Sequence, residues 1–494
     1  MSEPKKLKTP SILDAVIPIA SLILMMGCSV ILFGNDSSYG PNQVALLTAM
    51  FLAAIIGLKN GHTWDSIEKG IIKGVSMCLG AILILFSVGA LIGTWMLSGT
   101  VPTLIYYGLA ILNPTFFYAA SALICAIVAM SIGSSWTTAA TVGVALIGVA
   151  TGMDMSLAIT AGAIVSGAYF GDKLSPLSET TNLAPAIAGT NLFEHIKYML
   201  WTTIPSFCIA LVLFTILGFQ EDTGTVSGRI EIMQTLLNEE FNIAWYNLIP
   251  LFVLLSLAIN KMPAFPAISI GALLGGIWAI MFQGEVVSSM MDSDFSDSIT
   301  NLMVVWKTMF EGVTFSTPDD NLNDLLSRGG MSSMLNTIWL IICAMSFGAV
   351  LERVGLLAAI VSSVLKGATS AGDMVTRTIL TSLGTNLVTA DQYIAIVMPG
   401  RMYKEEFEKR GLHQLNLSRS LEDGGTITSP LIPWNTCGAY MHSVLGVHPF
   451  TYIFYAFFNL INPILAIIYA YLGIKILRLE PPKVEIRNPI QDAN

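Results

Sequence analysis

Residues 171–182 combine ionisable and hydroxyl side chains within an otherwise apolar part of the chain. Apolar runs flank this segment on both sides, and polar groups in hydrocarbon need partners or a water-filled cavity. Pro176 removes a backbone donor and disfavours helix at Ser175, so we predict that a helix breaks here. The segment is therefore expected to hold an ion or a polar solute.

Asp172 is the strongest carboxylate candidate in this segment, because a partly desolvated carboxyl group can accept either a proton or a cation. Glu179, Thr180 and Asn182 offer further oxygen ligands. Lys173 could neutralise a carboxylate or extend to an interface. The alternative is a polar loop at the membrane surface.

A second polar interruption, at residues 133–138, has a counterpart at residues 384–391. Glycine lets a chain leave helical geometry, and hydroxyl or amide side chains can then satisfy the freed backbone groups. Exposed carbonyl oxygens and a carboxylate suit a hard cation such as sodium. The alternative is close packing of small residues between helices. The candidate ligands are Ser134, Thr138, Thr385, Asn386 and Asp391.

A third polar stretch, residues 422–436, is interrupted by glycine and proline between apolar runs. Its acids are Glu422 and Asp423, and we name Asp423 as the ion ligand. The alternative is a loop that follows the charged segment 401–410. The other candidate ligands are Thr426, Ser429 and Asn435.

Composition places these segments in a membrane. The chain has 494 residues, of which 54% are hydrophobic and 12% charged, whereas soluble proteins are about 25% charged. We predict an all-α polytopic membrane protein with roughly 10–13 spans of about 20 residues each. Apolar runs that indicate spans include 12–33, 103–131, 136–170 and 264–282, and several of the runs must be divided. There is no P-loop and no H-E-x-x-H pair, so we expect neither an ATPase nor an enzyme. No cofactor, resident metal or nucleic-acid partner is expected.

Short motifs recur in the same order in the two halves, which indicates a duplication. The pairs are 17–19 with 249–251, Trp64/Gly70 with Trp306/Gly312, 89–91 with 348–350, 131–135 with 382–386, and 175–177 with 429–431. We predict a first membrane repeat at 1–218, a linker at 219–242, a second repeat at 243–473 and a tail at 474–494.

Charge placement suggests that the repeats have inverted topology with broken helices, a common transporter design. The N-terminus and residues 59–74 are basic, whereas Lys and Arg are scarce at 219–242 and 283–332. Basic residues favour the cytoplasmic side. We therefore expect cytoplasmic termini and an extracytoplasmic linker.

The run GDKLSPLSETTNLAPA, residues 171–186, resembles the signature of the NhaC family of sodium/proton antiporters, and the resemblance extends over nearly the whole chain. It implies a transporter of the bacterial inner membrane that exchanges sodium for protons. By this resemblance Asp172, Ser175, Glu179, Thr180 and Asn182 fall within the signature. Glu179 stands where the family often has aspartate, which keeps the charge and moves it by about one methylene.

The expected partners are sodium ions, protons and the lipid bilayer, and a homodimer is compatible with the sequence. The alternative function, also within this resemblance, is sodium- and proton-coupled exchange of small organic acids such as malate and lactate. A passive channel is disfavoured because the sequence carries two nonidentical half-sites instead of repeated filter elements.

Overall fold

The computed structural model describes residues 7–221, 226–291, 296–317, 323, 325–365 and 370–479. Throughout these residues the chain is built from helices and turns, and the one β contact is an isolated bridge between Leu412 and Arg478. This confirms the all-α class. Several charged residues used in the sequence argument lie outside the described residues: Asp222, Asp292, Asp294, Asp319, Asp320, Asp324, Lys483 and Arg487.

The first half of the chain forms helices of very different lengths, from one turn to eight turns. A π-helical turn, Ala139–Gly143, joins two of them into one continuous rod from Ser135 to Gly152. The α-helices are Ile12–Phe33, Pro41–Lys59, Trp64–Met77, Leu79–Leu97, Thr100–Ile111, Phe117–Ile132, Ser135–Thr138, Val144–Gly152, Leu157–Leu174, Glu179–Ala188 and Leu192–Gln220.

Helix Val226–Glu240 follows in the predicted linker, and the second half then repeats a mixture of long and short helices. A second π-helical turn, Glu422–Thr426, directly continues helix Gln414–Leu421. The α-helices are Ile249–Ile259, Ala264–Phe282, Gly284–Ser289, Asp297–Glu311, Leu335–Arg353, Leu356–Leu365, Ala371–Thr389, Gln392–Lys409, Gln414–Leu421, Thr436–Leu445, Pro449–Tyr452 and Phe457–Leu472.

Eight helices of the described residues are long and apolar enough to cross a membrane, or up to ten if each of two bent pairs counts as one span. The predicted range of 10–13 spans agrees with this number only at its lower limit of ten. Two predicted apolar runs are divided. Run 103–131 is split before Pro114, and run 136–170 is split at Asp154, whose φ is 58°. Division leaves helix Thr100–Ile111 too short to span alone.

The predicted halves pack against each other along much of their length. Helix Leu335–Arg353 lies on helices Pro41–Lys59 and Trp64–Met77, and helix Ala264–Phe282 lies on Leu79–Leu97. Small residues permit these approaches, as is usual between membrane helices. Many large apolar side chains remain exposed on the outer surface, Ile31 and Leu32 among them, as lipid-facing helices require.

Candidate ion site

Four helices whose starts are capped by a side chain begin at the edge of one cavity of about 730 Å³. They are the helices that start at Ser135, Glu179, Gln392 and Thr436, two from each predicted half. Each is preceded by a side chain that accepts a hydrogen bond from its first turn, namely Ser134, Ser178, Asp391 or Asn435. Such capping satisfies backbone donors that would otherwise be left without partners at a helix start.

The turns before two of these helices are built alike. Gly133, with φ 72°, ends one helix, and Ser134 caps the next through a 3.1 Å bond from the Thr137 amide. Ala390, with φ 57°, ends another, and Asp391 caps the next through a 2.9 Å bond from the Ile394 amide. Both turns therefore place a polar cap at the cavity.

The break predicted within residues 384–391 lies at the end of that range and not at its glycine. Gly384 lies inside the continuous helix Ala371–Thr389, and the helix ends six residues later, at Ala390. Glycine permits a break without requiring one. Here the following Asp391 cap fixes where the next helix starts, so the equivalent of Gly133 is Ala390.

Asp172 lies near the C-terminal end of helix Leu157–Leu174 and lines the cavity, with 8% of its surface exposed. Its Oδ2 accepts hydrogen bonds from the Ser135 hydroxyl at 2.6 Å and the Ser135 amide at 3.1 Å. The carboxylate is thus held at the start of another helix, where a negative charge is favoured. Ser178, which caps the helix after the proline turn, also interacts with this carboxylate.

Glu179 and Thr180 also line the cavity, at the start of the helix after the proline turn. Glu179 is exposed and accepts a hydrogen bond from the Tyr393 hydroxyl. Thr180 is buried and lies 3.2 Å from the Ser178 hydroxyl. With Asp172 and Asp391, Glu179 gives the cavity wall three carboxyl groups, and the exposed Lys261 also lines the cavity.

Four predicted ligands have hydroxyl or amide groups bonded within their own helix or turn. The Thr138 hydroxyl donates to the Ser134 carbonyl, and the Thr385 hydroxyl donates to the Thr381 carbonyl. The Ser175 hydroxyl accepts from the Leu177 amide. The exposed Asn182 donates to the carbonyls of Pro176 and Ser178. None of Thr138, Ser175, Asn182 or Thr385 lines the cavity.

Asn386, Ser429 and Asn435 lie just behind the cavity wall and join its elements. The Asn386 amide donates to the Gly425 carbonyl and to the Thr428 hydroxyl, and its Oδ1 accepts from Asn435 at 3.1 Å. The Ser429 hydroxyl lies 2.7 Å from the Thr426 carbonyl and 3.4 Å from Gln392 Oε1. Ser429 thereby links a cavity-lining side chain to the interior.

Asp423 lies in that interior and forms an ion pair with Lys173, although the two come from opposite halves of the chain. Both side chains are fully buried. Asn462 donates a second hydrogen bond to Asp423 Oδ1, at 2.7 Å. Lys173 therefore neutralises a carboxylate and does not extend to an interface, which were the two roles that the sequence allowed.

Glu422 and Thr426 are fully buried on either side of Asp423 in the π-helical turn. Neither oxygen of the Glu422 carboxyl has a hydrogen-bond partner among the described residues, and the Thr426 hydroxyl also lacks one. The structure thus divides the predicted acids and some of their neighbours between the cavity and the interior behind it. Ser134, Asp172, Glu179, Thr180 and Asp391 face the cavity, whereas Asp423 and Thr426 are sealed behind it.

Sequence reasoning did not select four residues that contribute here: Ser135, Gln392, Asn459 and Asn462. The last two were detectable, because asparagines three residues apart in the apolar helix Phe457–Leu472 lie on one face and need polar partners. Asn459 bonds the Ile427 carbonyl at 2.8 Å. Ser135 stands within a motif that was noticed, but only the fold shows that its hydroxyl reaches Asp172.

The profile of the Na+/H+ antiporter family matches residues 167–474, which include Asp172, Asp391 and Asp423. The chain belongs to the Na+/H+ antiporter family. This membership confirms the resemblance found in the signature segment.

Known members of the Na+/H+ antiporter family align with most of the chain. It is 38% identical over 433 residues to the Na(+)/H(+) antiporter NhaC of Alkalihalophilus pseudofirmus, covering 87% of this chain and 90% of the relative. It is 38% identical over 434 residues to the malate-2H(+)/Na(+)-lactate antiporter of Bacillus subtilis, covering 88% of this chain and 90% of the relative.

Among solved structures, Neisseria gonorrhoeae MtrF, from a class of antimetabolite efflux pumps, aligns with a TM-score of 0.36 and 11% identity over 94% of this chain and 96% of MtrF. That likeness is too weak to assign a fold.

Proposed function

We propose that this protein exchanges sodium ions for protons across the bacterial inner membrane, as a secondary transporter and not an enzyme. The observation that carries the proposal is the position of Asp172, which lies at the wall of a cavity in a membrane domain and is held there by Ser135. A carboxylate in such a place can bind a proton or a hard cation, and the two compete for it.

Alternating access would let this competition drive exchange. The first repeat, 1–218, and the second, 243–473, would move relative to each other and expose the cavity to either side in turn. In this proposal the repeats are inverted, their helices break at the cavity, the linker 219–242 is extracytoplasmic, and both termini are cytoplasmic. Family membership and the four helix starts around the cavity support the arrangement.

The proposal is tested with purified protein in liposomes that contain a pH-sensitive dye. Adding sodium to the wild type should move protons, whereas Asp172→Asn should reduce this movement by at least about 100-fold because it removes the exchangeable charge. Asp65→Asn, which changes an exposed acid, should behave as wild type. A folded wild type that does not respond to sodium or lithium would refute the exchange function.

A second candidate is coupled exchange of small organic acids, and the convergence of four helix starts on the cavity favours it. Helix N-termini carry partial positive charge and attract carboxylates. The cavity volume of about 730 Å³ lies in the range of small-molecule sites. Counterflow of radiolabelled malate or lactate separates the candidates, since a sodium/proton exchanger without an organic substrate should show none.

A further inference from the structure

Behind the cavity wall, the π-helical turn Glu422–Thr426 brings two acids to the same buried place. A π-helical turn is wider than an α-helical turn, and such turns often occur at functional sites. Here the Ile427 amide bonds the Glu422 carbonyl five residues back, at 3.2 Å. Glu422, Asp423 and Thr426 have no exposed surface.

Oxygen atoms without partners accumulate around this turn. Asp423 uses Oδ1 for both Lys173 and Asn462, and its Oδ2 has no partner among the residues that the structure describes. Asn462 donates an amide hydrogen to Asp423, and its own Oδ1 has no partner in the described part of the chain. Thr426 lies beside Glu422 without a hydrogen bond of normal geometry. Buried polar atoms normally have partners, so a cluster of unpartnered oxygens indicates a ligand.

The charges at this turn also do not balance. Two carboxyl groups, Glu422 and Asp423, are offset by one ammonium group, that of Lys173. Asp172 acts electrostatically on Glu422 as well and adds negative charge. An uncompensated buried carboxylate is costly, and either a proton on Glu422 or a bound cation removes that cost.

Among the described residues, no charged group besides Lys173 forms an ion pair with Glu422 or Asp423, although the guanidinium of the buried Arg419 keeps its positive charge nearby. Arg419, one turn before Glu422, stacks on the Tyr198 ring and donates to the Lys475 carbonyl. His195, from the neighbouring helix Leu192–Gln220, bonds Ser418. On the packed helix Ala371–Thr389, Asp373 bonds Tyr471 and Arg377 bonds the Val364 carbonyl. Glu179 and Asp391 face the cavity.

A polar connection joins this turn to the cavity. Gln392 lines the cavity and contacts the Ser429 hydroxyl, which bonds the Thr426 carbonyl. On the other side, Asp172 in the cavity wall precedes Lys173 in sequence, and Lys173 reaches Asp423. An ion in the cavity therefore lies one layer of side chains from the turn.

We infer that Glu422, with oxygens of Asp423, Thr426 and Asn462, forms a sealed second site that takes either one proton or one dehydrated sodium ion. This inference rests on the proposed function, in which the cavity carboxylates receive the ion first. Sodium is a hard cation and suits a set of carboxylate, hydroxyl and amide oxygens. When sodium enters, the Glu422 proton leaves, so one positive charge replaces another and the interior stays balanced.

The test compares Glu422→Gln with wild type by measuring binding of radioactive sodium to purified protein and sodium-driven proton release over a range of pH. Glutamine keeps the size and removes the exchangeable proton. We expect the variant to lose sodium-driven proton release from this turn and to bind sodium with a weaker pH dependence than wild type, because only the cavity carboxylates still exchange a proton for sodium. Glu405→Gln, at an exposed acid of helix Gln392–Lys409, is the matched control and should retain wild-type behaviour.

Asn462→Ala provides a second variant that keeps both acids. Loss of one oxygen ligand should raise the sodium concentration for half-saturation by about tenfold. If Glu422→Gln is not recovered as folded protein, sodium binding by Asn462→Ala tests the sealed site instead. Unchanged half-saturation and pH dependence in a folded variant would overturn the sealed site while leaving wild-type exchange intact. If the wild-type protein shows no exchange of sodium for protons, the proposed function itself is wrong.

Discussion

Lys173 and Asp423 form a fully buried ion pair between residues 250 positions apart. Removing one partner of such a pair leaves an uncompensated charge, whereas removing both often costs little. Replacing either side chain alone should therefore reduce stability more than replacing both.

We predict that Lys173→Met destabilises the protein by about 3–5 kcal/mol and that adding Asp423→Asn restores most of the loss. Thermal denaturation in detergent, followed by tryptophan fluorescence, measures both variants. The exposed pair of Lys69 and Asp65 serves as control, and Lys69→Met should change stability by less than about 0.5 kcal/mol. Equal losses in the single and double variants would show that the pair is not the source of the effect.

At the scale of single residues, the sequence predicted which positions carry polar chemistry better than it predicted their contacts. Asp172 and Asp391 both face the cavity, and their role as ion ligands stays a prediction. The Asp423–Lys173 contact could not be derived, because local spacing carries no information about a partner 250 residues away. Nor could the sequence show that the hydroxyls of Thr138 and Thr385 bond the carbonyl four residues earlier, as helix hydroxyls commonly do.

At the scale of elements, helices Phe117–Ile132 and Leu157–Leu174 make the closest approach that supports Asp172. A Cβ atom on Gly167 would lie 2.0 Å from the Ala122 carbonyl oxygen, and one on Gly171 would lie 2.2 Å from that of Ala126. No flexible side chain is available to yield there, so the backbones themselves would have to separate.

We predict that Gly167→Ala lowers stability by at least about 1–3 kcal/mol and weakens sodium-driven proton movement, because separating the helices displaces Asp172 from Ser135. Gly384→Ala is the matched control, since nothing lies within 4 Å of the added atom. It should be neutral or stabilising by up to about 1 kcal/mol. The same denaturation and liposome measurements check both, and similar losses in the two would count against the packing argument.

Element boundaries followed hydrophobic pattern where a helix is uniformly apolar. The run predicted at 264–282 is helix Ala264–Phe282, and the run at 12–33 is Ile12–Phe33. The pattern failed where polar caps set the limits, as at Asp391, because a cap works through backbone geometry that hydropathy does not register. It also failed at Asp154, where one residue with positive φ divides an apolar run.

At the scale of the whole molecule, the proposed orientation places the linker and the N-terminus on opposite sides of the membrane. Thr9 and Asn238 are both exposed and suit accessibility labelling. The six cysteines are free and can be replaced to give a background without reactive thiols.

We predict that Asn238→Cys reacts with a membrane-impermeant maleimide in intact spheroplasts, whereas Thr9→Cys reacts only after permeabilisation. The reason is the scarcity of basic residues in the linker and their abundance at the N-terminus. Mass-tag gel shifts measure the labelling. Reaction of both sites from the outside would contradict cytoplasmic placement of the N-terminus and the inverted arrangement with it.

The Lys173–Asp423 contact also bears on how the chain is made. During synthesis the ribosome releases Lys173 into the insertion machinery long before residue 423 emerges. A nascent ammonium group without its counter-ion is costly in lipid. The early helices must then stay in contact with the translocon or an insertase until the helix that carries Asp423 has been inserted. Truncated chains that stop before Asp423 should therefore be substrates for membrane quality-control proteases.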